Sequence, residues 1–190
     1  MTESATKSHE LDGSSVIINR AKTEDAEAIM TLKRAAWLKT YPSAEHGVTV
    51  ADIDKQFPES NMPAAIENWR HGIADETDGS DRMTFVARLD GKVVGYTSPH
   101  ISDGQHRLGA LYVSPDIQGK GVGGQLLRKA LDWHGPEHDV YLHVLSYNDR
   151  AIGFYEHYGF QKTGVEIPEE VDENNVKLLP DIEMVHRAKS

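Results

Sequence analysis

The stretch from Ser114 to Leu131 reads SPDIQGKGVGGQLLRKAL, and it decides the fold. Four of its residues within a span of six are glycines, namely Gly119, Gly121, Gly123 and Gly124. The run HRLGALYV (106–113) before them reads as a strand, and the apolar residues after them recur at helical spacing on one face. The stretch therefore predicts a strand that passes into a helix through a backbone almost free of side chains.

The glycines leave several backbone N–H groups unpaired at the start of a helix, where the helix dipole is positive. Such a turn is an anion site, and a phosphate group is its usual occupant. The alternative is a tight strand-to-helix turn that binds nothing. Either way, these residues give the backbone more freedom than any side chain would allow.

Two nucleotide-binding motifs share part of this pattern. Gly119, Gly121 and Gly124 have the G-x-G-x-x-G spacing of a dinucleotide fingerprint, but residues 114–118 separate them from the strand. The next strand, VYLHV (140–144), does not end in the acidic residue that would bind a ribose. Lys120 is followed by glycine, which excludes a Walker loop. A nucleotide-dependent enzyme stays open as an alternative that tight NAD binding would reveal.

The remaining chain alternates between strand and helix signals. VIINRA (16–21) reads as a strand, Thr23 as the N-cap of a following helix, and one or two more helices fit between residues 41 and 73, with Thr49 and Pro63 at helix starts. Later elements are a hairpin about Asp90-Gly91 that Pro99 closes, VYLHV, a helix over 148–158, and the strands GFQKTGVE and DIEMVHR. Gly135-Pro136 ends the glycine-rich helix. The two strands that this helix joins should be parallel.

Composition excludes several classes of protein. A length of 190 residues suits one domain, and no apolar run approaches the roughly 18 residues of a membrane span, so we expect a cytoplasmic location without a membrane partner. The absence of cysteine excludes disulfides, thiolate zinc sites and a cysteine nucleophile. A net charge of −10 argues against broad contact with nucleic acid and favours a cationic partner.

Metal binding is not expected. His134 and His138 have i, i+4 spacing, but Gly135 and Pro136 between them prevent the helix that would aim both rings at one ion. The other histidines are scattered along the chain.

Two motifs together carry a family resemblance. LYVSP followed by Gln118-Gly-Lys-Gly121-Val-Gly123 and an amphipathic helix resembles the Q/R-x-x-G-x-G/A signature of the GNAT superfamily of N-acetyltransferases. Downstream, NDRAIGFYEHYGF (148–160) is similar to the family's second signature, N-x-x-A-x-x-F-Y-x-x-x-G-F. The resemblance covers nearly all of residues 16–187.

This resemblance implies an α/β fold, the GNAT acyl-CoA N-acyltransferase fold. The expected sheet is mixed, mostly antiparallel, of about seven strands, with a splayed central parallel pair and flanking helices. We expect one domain over residues 16–190 after a disordered tail, 1–15. The order of elements before the two motifs also suits the family.

The resemblance also implies acetyl-CoA as cosubstrate. The pantetheine would pair with backbone groups of one strand as an added strand, and the pyrophosphate would lie on the N–H groups of the glycine-rich loop, which Gln118 shapes. The residues implied are Leu111, Tyr112, Val113, Gln118, Gly119, Lys120, Gly121, Val122, Gly123, Gly124 and Asn148. Asn148 also reads as a plain N-cap.

Amide formation needs a neutral amine and a proton for the departing thiolate. Tyr155 matches the family's general acid, although its spacing from Ile152 and Tyr158 also suits a core aromatic. His143 is the candidate base, because some relatives that acetylate protein N-termini carry a glutamate there; a histidine packed on a half-buried strand is the alternative. His100, His106 and Glu24 are other candidates, and water chains also serve in the family.

The acceptor is predicted from charge. In the family the segment corresponding to 36–82 forms much of the acceptor wall, and residues 41–81 here hold nine acidic residues against Lys55 and Arg70. This favours a small-molecule acceptor, a polyamine or another cationic amine, and the layout resembles polyamine-acetylating members. A peptide or protein amine, an aminoglycoside and a non-catalytic acyl-CoA binding module remain alternatives, as does a homodimer formed through an exposed final strand.

Overall fold

The computed structural model describes residues 10–11, 14–171 and 177–189. Most of the predicted tail, residues 1–9 and 12–13, lies outside the described residues. Glu10–Leu11 pairs antiparallel with Ser14–Ser15 just before the main sheet. In the described part of the chain, no helix is long and apolar enough to cross a membrane.

One seven-stranded sheet organises the molecule. Its strands in chain order are β1 (Ile17–Arg20), β2 (Phe85–Leu89), β3 (Lys92–Ser102), β4 (Gln105–Val113), β5 (Val140–Leu145), β6 (Gln161–Ile167) and β7 (Asp181–His186). Their order across the sheet is β1-β2-β3-β4-β5-β7-β6. Only β4 and β5 are parallel, and every other neighbouring pair in this sheet is antiparallel. The predicted mixed, mostly antiparallel sheet with one central parallel pair is confirmed.

Two tight turns build the antiparallel half of the sheet. Asp90 and Gly91 between β2 and β3, and Asp103 and Gly104 between β3 and β4, all have positive φ, between 50° and 77°. Asp-Gly in this conformation gives the turn twist that antiparallel strands need. Both hairpins are therefore encoded by their own turn residues.

The sequence predicts that β3 ends at Pro99, and this prediction is wrong. The strand continues to Ser102, and its register against β4 shifts between Thr97 and Pro99. A proline cannot donate to a ladder, and a bulge is one of the few places where a strand accepts it. The Pro99 carbonyl oxygen still accepts a bond from the Met83 N–H at 3.1 Å.

Five helices connect or cover the strands: α1 (Ala26–Thr40), α2 (Val50–Gln56), α3 (Met62–Ala74), α4 (Val122–His134) and α5 (Asp149–His157). Thr49 caps α2 and Pro63 lies in the first turn of α3, as predicted. The prediction for Thr23 is wrong, because Thr23 lies inside a short 3₁₀ turn. There the Asp25 carboxylate accepts from the Lys22 N–H and from Arg88.

Each face of the sheet has its own core. On one face α4 and α5 pack over β4, β5 and β7 through Leu108, Leu127, Ala130, Val140, Leu142, Val144, Ile152, Phe160 and Met184. On the other, α1 and α3 pack over β2 and β3 through Ala26, Ile29, Leu32, Ile73, Val86 and Tyr96. The glycine-rich turn and α5 meet at the central strands, which places both sequence motifs at the middle of the sheet.

The central pair β4 and β5 is joined over a short distance only. His106 pairs with Val140 and Arg107 with Tyr141, and no further pair follows in the described residues. Beyond Arg107 the two strands therefore separate, and the second half of β4 has a neighbour only on its β3 side. The sheet opens at its centre.

The final strand is not exposed at an edge, contrary to the sequence expectation for a homodimer. β7 lies between β5 and β6 and pairs with both. The edges of the seven-stranded sheet are β1 and β6. Both edges of the last strand are therefore occupied, and it cannot pair with the last strand of a second copy.

Candidate active site at the opening between β4 and β5

The end of β4 turns two backbone groups toward the opening. The Ser114 N–H donates to Val94 on β3 at 2.8 Å, so the Val113 carbonyl, on the other side of that peptide plane, faces away from β3. Likewise, the Ala110 carbonyl accepts from the Thr97 hydroxyl of β3 at 2.8 Å, and the Leu111 N–H faces away. Leu111 and Val113 thus present a donor and an acceptor where a further strand would pair.

The glycine-rich turn brings backbone donors to the same end of β4. Gly119 and Gly121 both have φ of +80°, which L side chains rarely adopt, and Gly121 is the N-cap of α4. The first helical bond in α4 runs from the Gln125 N–H to the Gly121 carbonyl. The preceding N–H groups, on Val122, Gly123 and Gly124, consequently have no partner within the helix.

Gln118 connects this turn to β4. Its side-chain Nε2 donates to the Val113 carbonyl at 3.2 Å, which fixes the loop against the open edge of the strand. Lys120 is exposed beside it, and Val122 is buried in the core. The predicted binding residues of β4 and of the turn therefore lie together.

Gly123 and Gly124 have a second reason to lack side chains, which the sequence did not indicate. A Cβ on Gly124 would lie 1.8 Å from the Tyr158 hydroxyl oxygen, and one on Gly123 would touch the Phe154 ring at 3.5 Å. Because both aromatic rings belong to α5 or its C-cap, the glycines allow α5 to approach the start of α4.

This approach places Tyr155 of α5 near the opening. Burial raises the pKa of Tyr155, and the neighbouring Tyr112 of β4 raises it further. The phenol is therefore protonated at neutral pH. At the start of α5, the Asn148 side-chain oxygen accepts from the Ala151 N–H at 3.1 Å, so the interpretation of Asn148 as an N-cap is confirmed.

Tyr112 joins the opening to α1 through two contacts that link distant parts of the chain. Its hydroxyl accepts a bond from Trp37 Nε1 at 2.7 Å and lies 3.2 Å from the Tyr41 hydroxyl. Burial raises the pKa of both phenols. Tyr147, after β5, donates from its hydroxyl to the Tyr41 carbonyl at 3.2 Å. Aromatic side chains from three parts of the chain thus line this region.

His143 lies on the sheet face opposite the α4 and α5 core, with an exposed side chain. Its Nε2 is 3.2 Å from Arg107 Nη1 and 3.6 Å from Glu183 Oε2. A guanidinium only donates, so this contact assigns the Nε2 lone pair to Arg107 and the ring proton to Nδ1. While the contact lasts, the lone pair that would take a proton is engaged.

Asp181, at the start of β7, acts on the tyrosines of this region, and sequence reasoning did not single it out. It pairs with Leu145 at the end of β5, and its charge raises the pKa of Tyr41, Tyr112 and Tyr147. Burial in turn raises the pKa of Asp181, while His143 lowers it. Nothing in the local sequence PDIEM marks this aspartate, since only the fold brings it beside the tyrosines.

Five of the nine acidic residues in the segment 41–81 have partners within the protein. Asp54 pairs with Arg34, Asp78 with Arg20, and Glu67 with Arg70. Buried Glu76 accepts from the N–H and hydroxyl of Thr84, and Asp52 closes a capping box with Thr49. These carboxylates stabilise α2, α3 and their surroundings more than they line the opening.

Three of the ten histidines meet at the other end of β4. His106 Nδ1 lies 3.0 Å from His134 Nδ1, and His138 stacks on His106 with ring centroids 3.9 Å apart. In the residues that the structure describes, no group of three or more histidine or acidic side chains has a geometry suited to a metal ion.

Comparison with known proteins identifies the family of this chain. The sequence model described as the Acetyltransferase (GNAT) family matches residues 34–160, well over half of the chain. The protein belongs to the GNAT family. It is accordingly an acyl-CoA-dependent acetyltransferase, as its two sequence signatures indicated.

Named relatives and a solved structure agree with this assignment. The chain is 37% identical over 135 residues to the N-alpha-acetyltransferase RimI of Mycobacterium tuberculosis, covering 66% of this chain and 83% of the relative. It is 28% identical over 156 residues to the peptidyl-lysine N-acetyltransferase YjaB of Escherichia coli, covering 78% and 84%. The crystal structure of the PaiA N-acetyltransferase of Thermoplasma acidophilum with coenzyme A shares the fold, with a TM-score of 0.67, 21% identity, and coverage of 91% and 99%.

Proposed function

We propose that this GNAT protein transfers an acetyl group from acetyl-CoA to a cationic primary amine, with a small polyamine as the first candidate acceptor. The observation that carries the proposal is the open edge of β4, which meets the unpaired N–H groups of α4 beside the Tyr155 phenol. One element thus offers strand pairing, another offers anion binding, and a third offers a proton.

The residues of the opening fit acetyl-CoA. The Leu111 N–H and the Val113 carbonyl suit the pantetheine amides, and Tyr112 between them contributes its side chain to the acceptor side. The N–H groups from Gly119 to Gly124, including those of Lys120 and Val122, suit the pyrophosphate at the positive end of α4. Asn148 holds the start of α5 in place. The bound cosubstrate supplies a thioester carbonyl for attack by the amine.

Tyr155 serves as the general acid in this proposal. Its raised pKa keeps the phenol protonated at neutral pH, so it can hydrogen-bond to the sulfur and pass its proton to the thiolate as the carbon–sulfur bond breaks. His143 serves as the base once Arg107 turns from its Nε2 to Glu183, whose Oε2 already lies 3.7 Å from Arg107 Nη2. The amine proton then passes to His143, directly or through water.

Release of free coenzyme A thiol from acetyl-CoA tests the proposal, and the protein contributes no thiol background because it has no cysteine. The acceptors are spermidine, spermine, a lysine peptide with a blocked N-terminus, and a lysine-free peptide with a free N-terminus. We expect turnover with the polyamines, and a loss of about a hundredfold or more in Tyr155→Phe. Tyr141→Phe, which alters a tyrosine at the closed end of β5, is the matched control.

The other outcomes divide the alternatives. Turnover with peptides alone would replace the polyamine by a peptide or protein amine, the candidate that the names of the two relatives favour. Saturable acetyl-CoA binding without turnover on any amine would indicate a non-catalytic acyl-CoA module. Full activity of Tyr155→Phe would remove the tyrosine from the reaction.

A further inference from the structure

We propose that Asp181 binds the positively charged amine of the acceptor at the entrance to the opening between β4 and β5. This inference rests on the proposed function, because it names the residue that recognises the acceptor. It also relocates the acidic recognition from the segment 41–81 to the start of the last strand.

The strand register places Asp181 at the open end of the central strands. Asp181 pairs with Leu145, the last residue of β5, and the Ser146 N–H donates to the Pro180 carbonyl at 2.9 Å. Since side chains alternate along a strand, Asp181 shares a sheet face with Glu183, which pairs with His143. The carboxylate is therefore on the face of His143, at the end where β4 and β5 have separated.

The neighbours of Asp181 are suited to an ammonium group. Its charge acts on Tyr41, Tyr112 and Tyr147, which are tied to one another by the two 3.2 Å contacts through Tyr41. His46 stacks on Tyr147, with ring centroids 4.2 Å apart. A carboxylate among aromatic faces and phenol oxygens attracts a cation by charge, by hydrogen bonds and through the ring quadrupoles.

Asp181 differs from its strand neighbour Glu183 in lacking an arginine or lysine partner among the described residues. Among these residues, the one side chain that lowers the pKa of Asp181 is the neighbouring His143. Glu183, by contrast, lies 3.7 Å from Arg107 and accepts from the Thr163 hydroxyl at 3.1 Å. A half-buried carboxylate without such a partner carries a desolvation cost, which a bound ammonium group would offset.

The desolvation cost of Asp181 allows a binding role to be distinguished from a structural role by measuring thermal stability. Because burial disfavours the ionised form of Asp181, Asp181→Asn should keep or slightly raise the melting temperature at neutral pH. A carboxylate that stabilised the fold would give the opposite result. The substitution therefore weakens recognition without weakening the protein.

The experiment measures kcat and KM with the best amine of the panel, at saturating acetyl-CoA, for Asp181→Asn and Asp181→Glu. We expect KM for the amine to rise about tenfold to a hundredfold in Asp181→Asn, the usual cost of a lost charged hydrogen bond, with kcat within about threefold of wild type. Asp181→Glu should recover part of the loss. Asp90→Asn makes the same change of charge in a distant hairpin turn and should leave both constants unchanged.

The outcomes distinguish this inference from the proposed function. If the wild type acetylates no amine, the proposed function fails and takes the role of Asp181 with it. If the wild type is active and Asp181→Asn has an unchanged KM, only the inference is overturned. A fall in kcat at constant KM would also overturn it, because Asp181 would then act on the chemistry. A loss of melting temperature would assign it a structural role.

Discussion

Gly124 lies where α4 meets α5, and a methyl group there would fall 1.8 Å from the Tyr158 hydroxyl oxygen. We expect Gly124→Ala to lower the free energy of unfolding by about 1–3 kcal/mol, because either the ring or the helix must move. The shift would also displace Tyr155, so activity should fall with stability. Urea unfolding followed by circular dichroism measures the change.

Gly153 provides the matched control for this prediction. It lies within α5, and a Cβ built there meets nothing within 4 Å. Gly153→Ala should therefore raise the free energy of unfolding by about 0.5–1 kcal/mol, the usual gain for alanine in a helix. Equal effects of the two substitutions would contradict the packing argument for Gly124.

At the residue scale, the sequence predicts what is encoded locally. Gln118, Asn148 and Tyr155 are predicted from spacing within two short motifs, and the predicted N-cap at Asn148 is confirmed. The contact between Trp37 and Tyr112 joins residues 75 positions apart, and no periodicity relates them. Asp181 cannot be predicted from the sequence for the same reason, since its neighbours come from the end of α1, from β4 and from the loop after β5.

At the scale of elements, turns and caps were predictable and interruptions were not. The Asp-Gly turns and the Thr49 cap depend on adjacent residues. Pro99 reads as a strand end, yet the register shift beside it lets β3 continue. Thr23 reads as a cap, yet it lies inside a 3₁₀ turn whose last residue, Asp25, is held by Arg88 of a distant strand. In both positions a tertiary contact overrides a local preference.

The end of α4 gives a prediction on pH. His134 Nε2 lies 3.2 Å from the Arg107 carbonyl and must donate to it, so its Nδ1 accepts from His106. Burial lowers the pKa of His134 to about 4, with His106 contributing. An unfolded chain binds this proton near pH 6.5, so stability should be full above that pH and fall progressively toward pH 4.

Melting temperatures at pH 8, 6.5 and 5 check this prediction. Burial also lowers the pKa of His100, His106 and His186, and these residues act in the same direction. His134→Gln keeps a donor and an acceptor but does not titrate, and it should flatten the dependence between pH 6.5 and 5. An unchanged slope in this variant would assign the acid sensitivity to the other histidines.

At the scale of the whole molecule, the sequence predicts the kind of sheet but not the order of its strands. The crossover through α4 requires β4 and β5 to be parallel, and this is confirmed. The insertion of β7 between β5 and β6 leaves no trace in the local pattern of DIEMVH. That insertion closes the expected dimer edge and brings Asp181 beside the opening.

The total charge of the molecule can also be predicted from the sequence, but the position of the functional charge cannot. A net charge of −10 can be read from composition, and the sequence assigns the acidic segment 41–81 to the acceptor. In the folded chain many of these carboxylates are used in ion pairs and caps. Total charge thus predicts the sign of a partner, whereas only the fold locates the carboxylate that it would meet.

The ladder between β4 and β5 is so short that, in the described residues, the two halves of the sheet are paired only at His106 and Arg107 of β4. The Leu111 amide lies in mid-sheet yet should exchange with deuterium as fast as a loop amide, because no strand covers that side of β4. Bound acetyl-CoA should slow this exchange, whereas the Tyr96 amide on β3 should stay protected with or without it. Equal protection of the Leu111 amide with and without acetyl-CoA would mean that the two halves of the sheet are already in contact before the cosubstrate binds. If the exchange slows, the cosubstrate also stiffens the sheet, and substrate supply would govern the rigidity of the enzyme.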